Sequence, residues 1–310
     1  MAGNPESRFP NVALLLDASR SYARNVLRGI GDYARMNGPW LFYIPTEGPI
    51  RSLDSLEEFE PEGIIVQPHQ DQGFVRQLVE CGVPVVSLSG PATVGGLPVV
   101  RANQDAVAEM AMQHFRDRGF KRFAYCGIPS ERIWPPTGEL FRKLAEQHDC
   151  SCEVYLPAYH PEARTLRLQH VAQWLKSLKK PVGLLAANDL RAREVLDACR
   201  LVDLHVPEDI AVLGVNDDEL ICEMANPPLS SVIQNARRIG YEAASMLHRL
   251  MQGKRVLPDV MIDPLGVHAR QSTDLLAVED VEVARALRFI RQNACAGICV
   301  DDVLDQLTLS

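Results

Sequence analysis

Short apolar runs recur along this chain, each closed by polar residues and followed by a stretch whose apolar side chains fall three and four positions apart. Val12–Leu16 runs into a polar turn beginning at Asp17 and then into a helical pattern through Val26, Leu27, Ile30, Tyr33 and Ala34. Trp40–Ile44, Gly63–Val66 and Val83–Leu88 read as further strands, with a helix over Gln72–Cys81 between the last two. Val99–Ala102 leads into a helix carrying Val107, Met110, Ala111, His114 and Phe115 that stops at Gly119, a usual residue just past a helix end. The pattern then restarts. Strands over Phe123–Gly127, Cys152–Tyr155, Val182–Ala187, Ile210–Val215 and Leu229–Ile233 alternate with helices over Glu139–Gln147, Leu166–Lys176 and Leu190–Leu201. A strongly amphipathic helix, Ala236–Met251, and two short strands, Val260–Ile262 and Val267–Ala269, follow.

This alternation predicts an α/β fold of two doubly wound parallel-sheet lobes within residues 10–274, with lobe 1 about 10–128 and 235–260 and lobe 2 about 129–234 and 261–274. Residues 1–9 are polar and predicted to be a disordered leader. Residues 275–310 read as a linker and a short C-terminal helical fragment, with Val281, Ala284, Leu287 and Ile290 on one helix, a break at Gly297 and a second helix over Asp301–Leu307. So short a fragment cannot bury a core of its own, so an interrupted domain is expected. Gly29 and Gly31 fall inside the first helix, not in the turn before it. They are therefore not a dinucleotide fingerprint and are expected to allow close packing on the sheet.

In open parallel sheets, ligands bind beyond the carboxyl ends of the strands. Asn188 and Asp189 close one run, and Asn216 and Asp217 close the next. Amides and carboxylates at adjacent strand ends suit a polyhydroxylated ligand, because each can bond neighbouring hydroxyls without a metal. The same residues also suit helix caps, Asp189 for the helix that follows it and Asn216 or Asp217 for the next element, and the two roles are compatible. Trp134 lies in the Pro-rich stretch IPSERIWPPTG, where an aromatic ring serves either to stack on a sugar face or to anchor a loop.

Composition narrows the field. A chain of 310 residues with 46% hydrophobic and 23% charged residues is that of a globular protein, and no apolar run is long enough to span a membrane or serve as a secretion signal, which places it in the cytoplasm. The net charge of −8 argues against a broad DNA-gripping face on this chain, and residues 275–310 hold six acidic and three basic side chains. Of the eight cysteines, only Cys150/Cys152 and Cys295/Cys299 are close in sequence, and neither pair has a matching second pair, so no metal and no cofactor is expected. No GxxxxGKS/T, HExxH or nucleophile-elbow motif is present, which leaves no reaction to assign and points to a binding protein, not an enzyme.

The stretch LLAANDLRAREVLDACRLVDLHVPEDIAVLGVNDDELICEMANPPLSSVIQNARRIGYEAASML, Leu184–Leu247, resembles the effector-binding core of the LacI/GalR family, and the likeness extends over roughly residues 10–270. FIRQNACAGICVDDVLDQLTLS, Phe289–Ser310, resembles the opening of an AraC-type DNA-binding domain, and the combination resembles the xylose operon regulators. The resemblance implies a type I periplasmic-binding-protein-like fold and a homodimeric transcription regulator that senses a pentose, D-xylose first, by lobe closure. DNA would be bound through a C-terminal domain of which this chain holds the beginning. It also implies sugar contacts from Asn188 or Asp189, Arg191 with Arg193, Asn216 and Asp217, the loop Asp17–Arg24 with Arg20 and Tyr22, Asn103 and Gln234. The chain departs from the family in WPPTGELF, where an arginine is usual, and at Asn216, where an aspartate is usual. A regulator whose pocket no longer takes xylose, and a periplasmic-type sugar carrier, are the alternatives.

Overall fold

The computed structural model describes residues 9–45, 56, 58–67, 72–89, 96–128, 137–157, 164–274, 281–293 and 297–307. In chain order the elements are β1 (Asn11–Leu15), α1 (Ser21–Asn37), β2 (Leu41–Tyr43), β3 (Gly63–Val66), α2 (Gln72–Glu80), β4 (Val85–Ser87), β5 (Val99–Ala102) and α3 (Gln104–Arg116). They continue with β6 (Arg122–Cys126), α4 (Thr137–Gln147), β7 (Ser151–Tyr155), α5 (Arg164–Ser177), β8 (Val182–Ala186), α6 (Asp189–Leu201) and β9 (Ile210–Val215). Then come α7 (Glu219–Met224), β10 (Ser230–Ile233), α8 (Ala236–Met251), β11 (Asp259–Ile262), β12 (Gly266–His268), a 3-10 turn (Gln271–Thr273), α9 (Val281–Asn293) and α10 (Val300–Leu304).

The strands form two six-stranded sheets, in the orders β11-β5-β4-β3-β1-β2 and β12-β10-β9-β8-β6-β7. Apart from the added edge strand, each has the same doubly wound order. All pairings are parallel except that of β12 with β10. Both faces of each sheet are covered, so the central strands are apolar on both sides. In β6, Ala124 and Cys126 enter the core beside α5 and α6, while Phe123 and Tyr125 enter the one beside α3 and α4. In β9, Ile210 and Val212 take the first face and Ala211, Leu213 and Val215 the second. The period of two along a strand thus becomes two separate cores.

Packing divides the described residues into one unit from 1–106 and 234–265 and another from 107–233 and 266–310. The first passage between units therefore falls inside α3, not near residue 128. β6 belongs to the second sheet, and β11, with Met261 and Ile262, to the first. The reason is tertiary. A buried strand such as Phe123–Cys126 has the same alternation whichever sheet it joins, and what assigns α3 is the insertion of Val107, Ala111 and Phe115 into the second unit's core.

In the first unit, α1 buries Ala23, Val26, Gly29, Ile30, Tyr33 and Ala34 along one stripe. Gly29 packs against α8, not against the sheet. A side chain on Gly29 would fall on the carbonyl oxygen of Arg237, and one on Gly240 would fall on that of Val26. The two helices therefore meet backbone to backbone, which only glycine permits at both positions. At Gly31 an added Cβ would meet only the end of the Arg35 side chain. Gly29→Ala and Gly240→Ala are each expected to destabilise the protein by about 3 kcal/mol or more, from a forced separation of the helices. Gly31→Ala, which removes a helix-interior glycine, should be neutral or stabilising by up to about 1 kcal/mol. Urea unfolding of the three variants checks the contrast, and equal effects at positions 29 and 31 would refute it.

Candidate functional site

In the second unit the chain's polar strand ends converge. Asn188 caps α6, its Oδ1 accepting the amide of Arg191 at 2.9 Å. The capping role open to Asp189 thus belongs to its neighbour, and Asp189 does something else. Its side chain is 2% exposed, with Oδ1 accepting from the Ser231 hydroxyl at 2.5 Å and Oδ2 from the Asp218 amide at 2.7 Å. Gly214 on β9 makes room for it, since a side chain there would occupy the position of the carboxylate. One carboxyl thereby ties the ends of β8, β9 and β10 together. Burial raises its pKa to about 7, the Asp218 amide and Ser231 hydroxyl opposing that and the nearby Asp217 and Asp218 charges adding to it.

The turn after β9 is built by its Asn-Asp pair. Asn216 and Asp217 have φ of 108° and 52°, backbone that Asn and Asp tolerate better than other side chains with a Cβ. This directs the Asp217 amide onto Ser231 Oγ at 3.0 Å and its carboxylate onto Arg270 Nη1 at 2.8 Å, with His268 Nδ1 3.2 Å away. The following helix, α7, starts from Asp218, with no side-chain cap.

Arg191, in the first turn of α6, is 5% exposed. Its Nη1 pairs with Glu194 at 2.6 Å and its guanidinium carbon lies 5.7 Å from the ring centre of Tyr155, at the end of β7. Nε and Nη2 are buried with no oxygen or nitrogen acceptor among the described residues, and the group beside the guanidinium is the Cys126 thiol at the end of β6, a weak acceptor; Arg193 Nε is likewise unmatched. A buried donor left without an acceptor costs about 1–3 kcal/mol. The arginine thus lies at the carboxyl edge of the sheet, between β7 and α6, with two donor atoms that meet no oxygen or nitrogen acceptor.

The first unit holds the other group. Asp17, just beyond β1, accepts from the Ser19 hydroxyl at 2.5 Å, the Ser19 amide at 3.1 Å and Arg20 Nε at 3.2 Å, and the Ser19 hydroxyl is the largest influence holding its carboxyl below the usual range. Arg24 Nη1 donates to the carbonyls of Ala18 and Ser19, while the Arg20 side chain is largely exposed. Tyr22 packs against the core of this unit, and burial pushes its phenol up. At the end of β5, Asn103 accepts the Ala106 amide at 3.3 Å and donates to Asp263 at 2.7 Å, so both ends of its side chain are held within the fold. Gln234 follows β10 where the chain passes back to this unit. Trp134 and the two prolines after it lie outside the described residues, while the rest of WPPTGELF, Thr137–Phe141, opens α4.

Sequence reasoning did not single out Ser231, Arg270, His268, Tyr155 or Gly214. The signal for Ser231 was present, because two adjacent serines inside an apolar strand must find buried partners. Nothing local marks Arg270, which meets Asp217 only through the antiparallel return of β12. Among the described residues no three His, Cys, Asp or Glu side chains are grouped to hold a metal ion, and no helix is long and apolar enough to cross a membrane.

Two doubly wound sheets, each with polar side chains at its carboxyl edge, define a type I periplasmic-binding-protein-like protein. Residues 112–273 match the family described as periplasmic binding protein-like domain, and residues 11–94 match the XylR N-terminal domain. The chain is 32% identical to the xylose operon regulatory protein of Escherichia coli strain K12 over 309 residues, 96% of this chain and 78% of that one. It is also 32% identical to the protein of that name from Haemophilus influenzae, over 98% of this chain and 80% of the other. A solved structure titled as the xylose-binding transcription activator XylR superposes with a TM-score of 0.82 at 29% identity, covering 98% of this chain and 80% of that chain. A LacI family regulator from Enterococcus faecium, solved with bound ribose, shares the fold with a TM-score of 0.68 at 18% identity, covering 86% of this chain and all of the other. The chain belongs to the xylose operon regulator family. Its relatives are transcription regulators.

The pKa of Asp189 gives this site a pH signature. A carboxyl at 3.8 when unfolded and about 7 when folded keeps its proton longer in the native state, so its contribution to stability is complete at low pH and declines as pH rises through that window. Asp189→Asn has no such slope. The stability gap between wild type and Asp189→Asn should therefore shrink by on the order of 2 kcal/mol between about pH 5 and about pH 8. Urea unfolding at the two pH values measures it, and a constant gap would contradict the reading.

Proposed function

We propose that this chain is the effector-sensing part of a cytoplasmic, sugar-responsive transcription regulator whose signal is a pentose, D-xylose in the first instance. Sugar held by strand-end residues of both units favours the closed arrangement, because only contacts better made in that state can shift the equilibrium. Closure is transmitted in a homodimer to AraC-type DNA-binding domains that begin within the segment holding α9 and α10. The names carried by the 32% identical relatives support the sugar class.

The observation that carries the reading is Arg191, whose two buried donor atoms face no oxygen or nitrogen acceptor, only the weakly accepting Cys126 thiol, and are those a sugar hydroxyl would satisfy. The charges around it favour a neutral ligand. Arg191 is paired with Glu194 and Asp217 with Arg270, which leaves hydrogen-bonding capacity without a net charge to attract an ion. In this reading Asp189 supports the site from beneath and Asn188 and Asn216 line it, while Arg191 takes the role of the arginine missing from WPPTGELF.

Isothermal titration with D-xylose, L-arabinose, D-ribose and D-glucose tests this. One pentose should bind saturably at one site per chain, and Arg191→Met should weaken it at least about 30-fold, the loss of about 2 kcal/mol of charged hydrogen bonding. The variant's urea midpoint should change little, because the substitution also removes the unmet donors. Absence of binding by every sugar would remove the proposed ligand class and leave the family assignment standing.

A further inference from the structure

A continuous set of buried polar contacts in the second unit leads away from Asp189, and its hydrogen bonds have a determined direction. The Ser231 hydroxyl donates to Asp189 and accepts the Asp217 amide. Asp217 holds Arg270, whose amide donates to Ser230 Oγ at 2.8 Å and whose carbonyl accepts from it at 2.9 Å. Ser230 Oγ also accepts from Thr273 Oγ1 at 2.7 Å. With the threonine proton committed there, the contact of 2.9 Å between Thr273 Oγ1 and His114 Nε2 requires the histidine to donate. His114 Nδ1 is then the acceptor for Arg118 Nη1 at 3.2 Å, which fits a neutral imidazole whose pKa burial lowers to about 4. Arg118 Nε returns to the Thr273 carbonyl at 2.7 Å. Beside this path, Ser272 Oγ donates to the Val212 carbonyl on β9 at 2.6 Å and accepts the Ser230 amide at 2.8 Å.

Ser230, Ser231, Ser272 and Thr273 are all fully buried, and each hydroxyl has its donor and acceptor capacity engaged. Such a network resists partial rearrangement, because moving one member leaves another unpaired in a low-dielectric interior. Its far end is the 3-10 turn Gln271–Thr273, the last described element before residues 275–280 and α9.

We propose that this relay couples the effector site to the root of the C-terminal segment: a ligand that engages Arg191 shifts α6 and Asp189, and Ser231, Arg270, Ser230 and Thr273 pass that shift to the turn from which α9 and α10 depart. The proposal rests on the reading of the second unit as an effector site. Thr273 is in this scheme a positioning residue, remote from the ligand.

Hydrogen exchange of the full chain across residues 266–274, with and without saturating D-xylose, tests the relay. In wild type the sugar should change exchange there at least about fivefold. Thr273→Val should bind D-xylose with unchanged affinity yet lose that change, and Thr273→Ser, which restores the hydroxyl, should recover it. A sugar-dependent change that persists at full size in Thr273→Val would overturn the proposal, as would failure of Thr273→Ser to recover it. If wild type does not bind D-xylose, the ligand assignment fails separately, and the relay is read without sugar. Asp189→Asn should then raise exchange at 271–274 about fivefold or more while leaving β5 and β11 of the first unit unchanged. No rise, or an equal rise in β5 and β11, would sink the coupling.

Discussion

A single buried carboxylate holds the working edge of the second unit together. Asp189 leaves the end of β8, reaches over the bare backbone of Gly214 and takes hydrogen bonds from the turn after β9 and from β10. A carboxyl in that position is tolerable because both oxygens are hydrogen-bonded and because burial favours its neutral, protonated form toward neutral pH. The glycine, the left-handed Asn216-Asp217 turn and the serine on β10 are all arranged around it. Remove any one and the carboxyl loses either its room or a partner for one of its oxygens.

The consequence for function is a division of labour among residues that look alike in sequence. Asn188, Asp189, Asn216 and Asp217 are four short polar side chains at two neighbouring strand ends. Asn188 caps a helix, Asp189 braces three strands, and Asp217 binds Arg270. Among the described residues, buried donor atoms without an oxygen or nitrogen acceptor belong to Arg191 and Arg193, and Arg191, in the first turn of the helix, has two of them. The polar strand ends of this sheet thus serve the fold first, as cap, brace and ion-pair partner.

The architecture was readable from the sequence because both-face burial writes itself as continuous apolar strands, and the helices between them keep a clean stripe, as α1 does from Ala23 to Ala34. The same apolar runs set Asn188, Asp189, Asn216 and Asp217 just past two strand ends, where the structure has them. What could not be read was assignment between sheets, because β6 carries no local mark of the unit it joins and α3 spans the passage. Nor could the partners of the strand-end residues be read. Arg270 lies 53 positions from Asp217, and His114 lies 159 from Thr273, so these pairings exist only once β12 and the 3-10 turn have folded back.

The contact between α1 and α8 has a bearing on how the protein is made. Gly29 of the one and Gly240 of the other approach backbone to backbone, although most of the second unit lies between them in the chain. The first unit therefore emerges from the ribosome with its main helical face uncovered, and it stays so until residues beyond 251 have cleared the tunnel. The second unit in turn waits for β12 and the 3-10 turn, so neither is a foldable segment of nascent chain. Exposed apolar surface must be tolerated until the 3-10 turn at Gln271–Thr273 has emerged, which makes translation speed and chaperone access determinants of yield for this architecture.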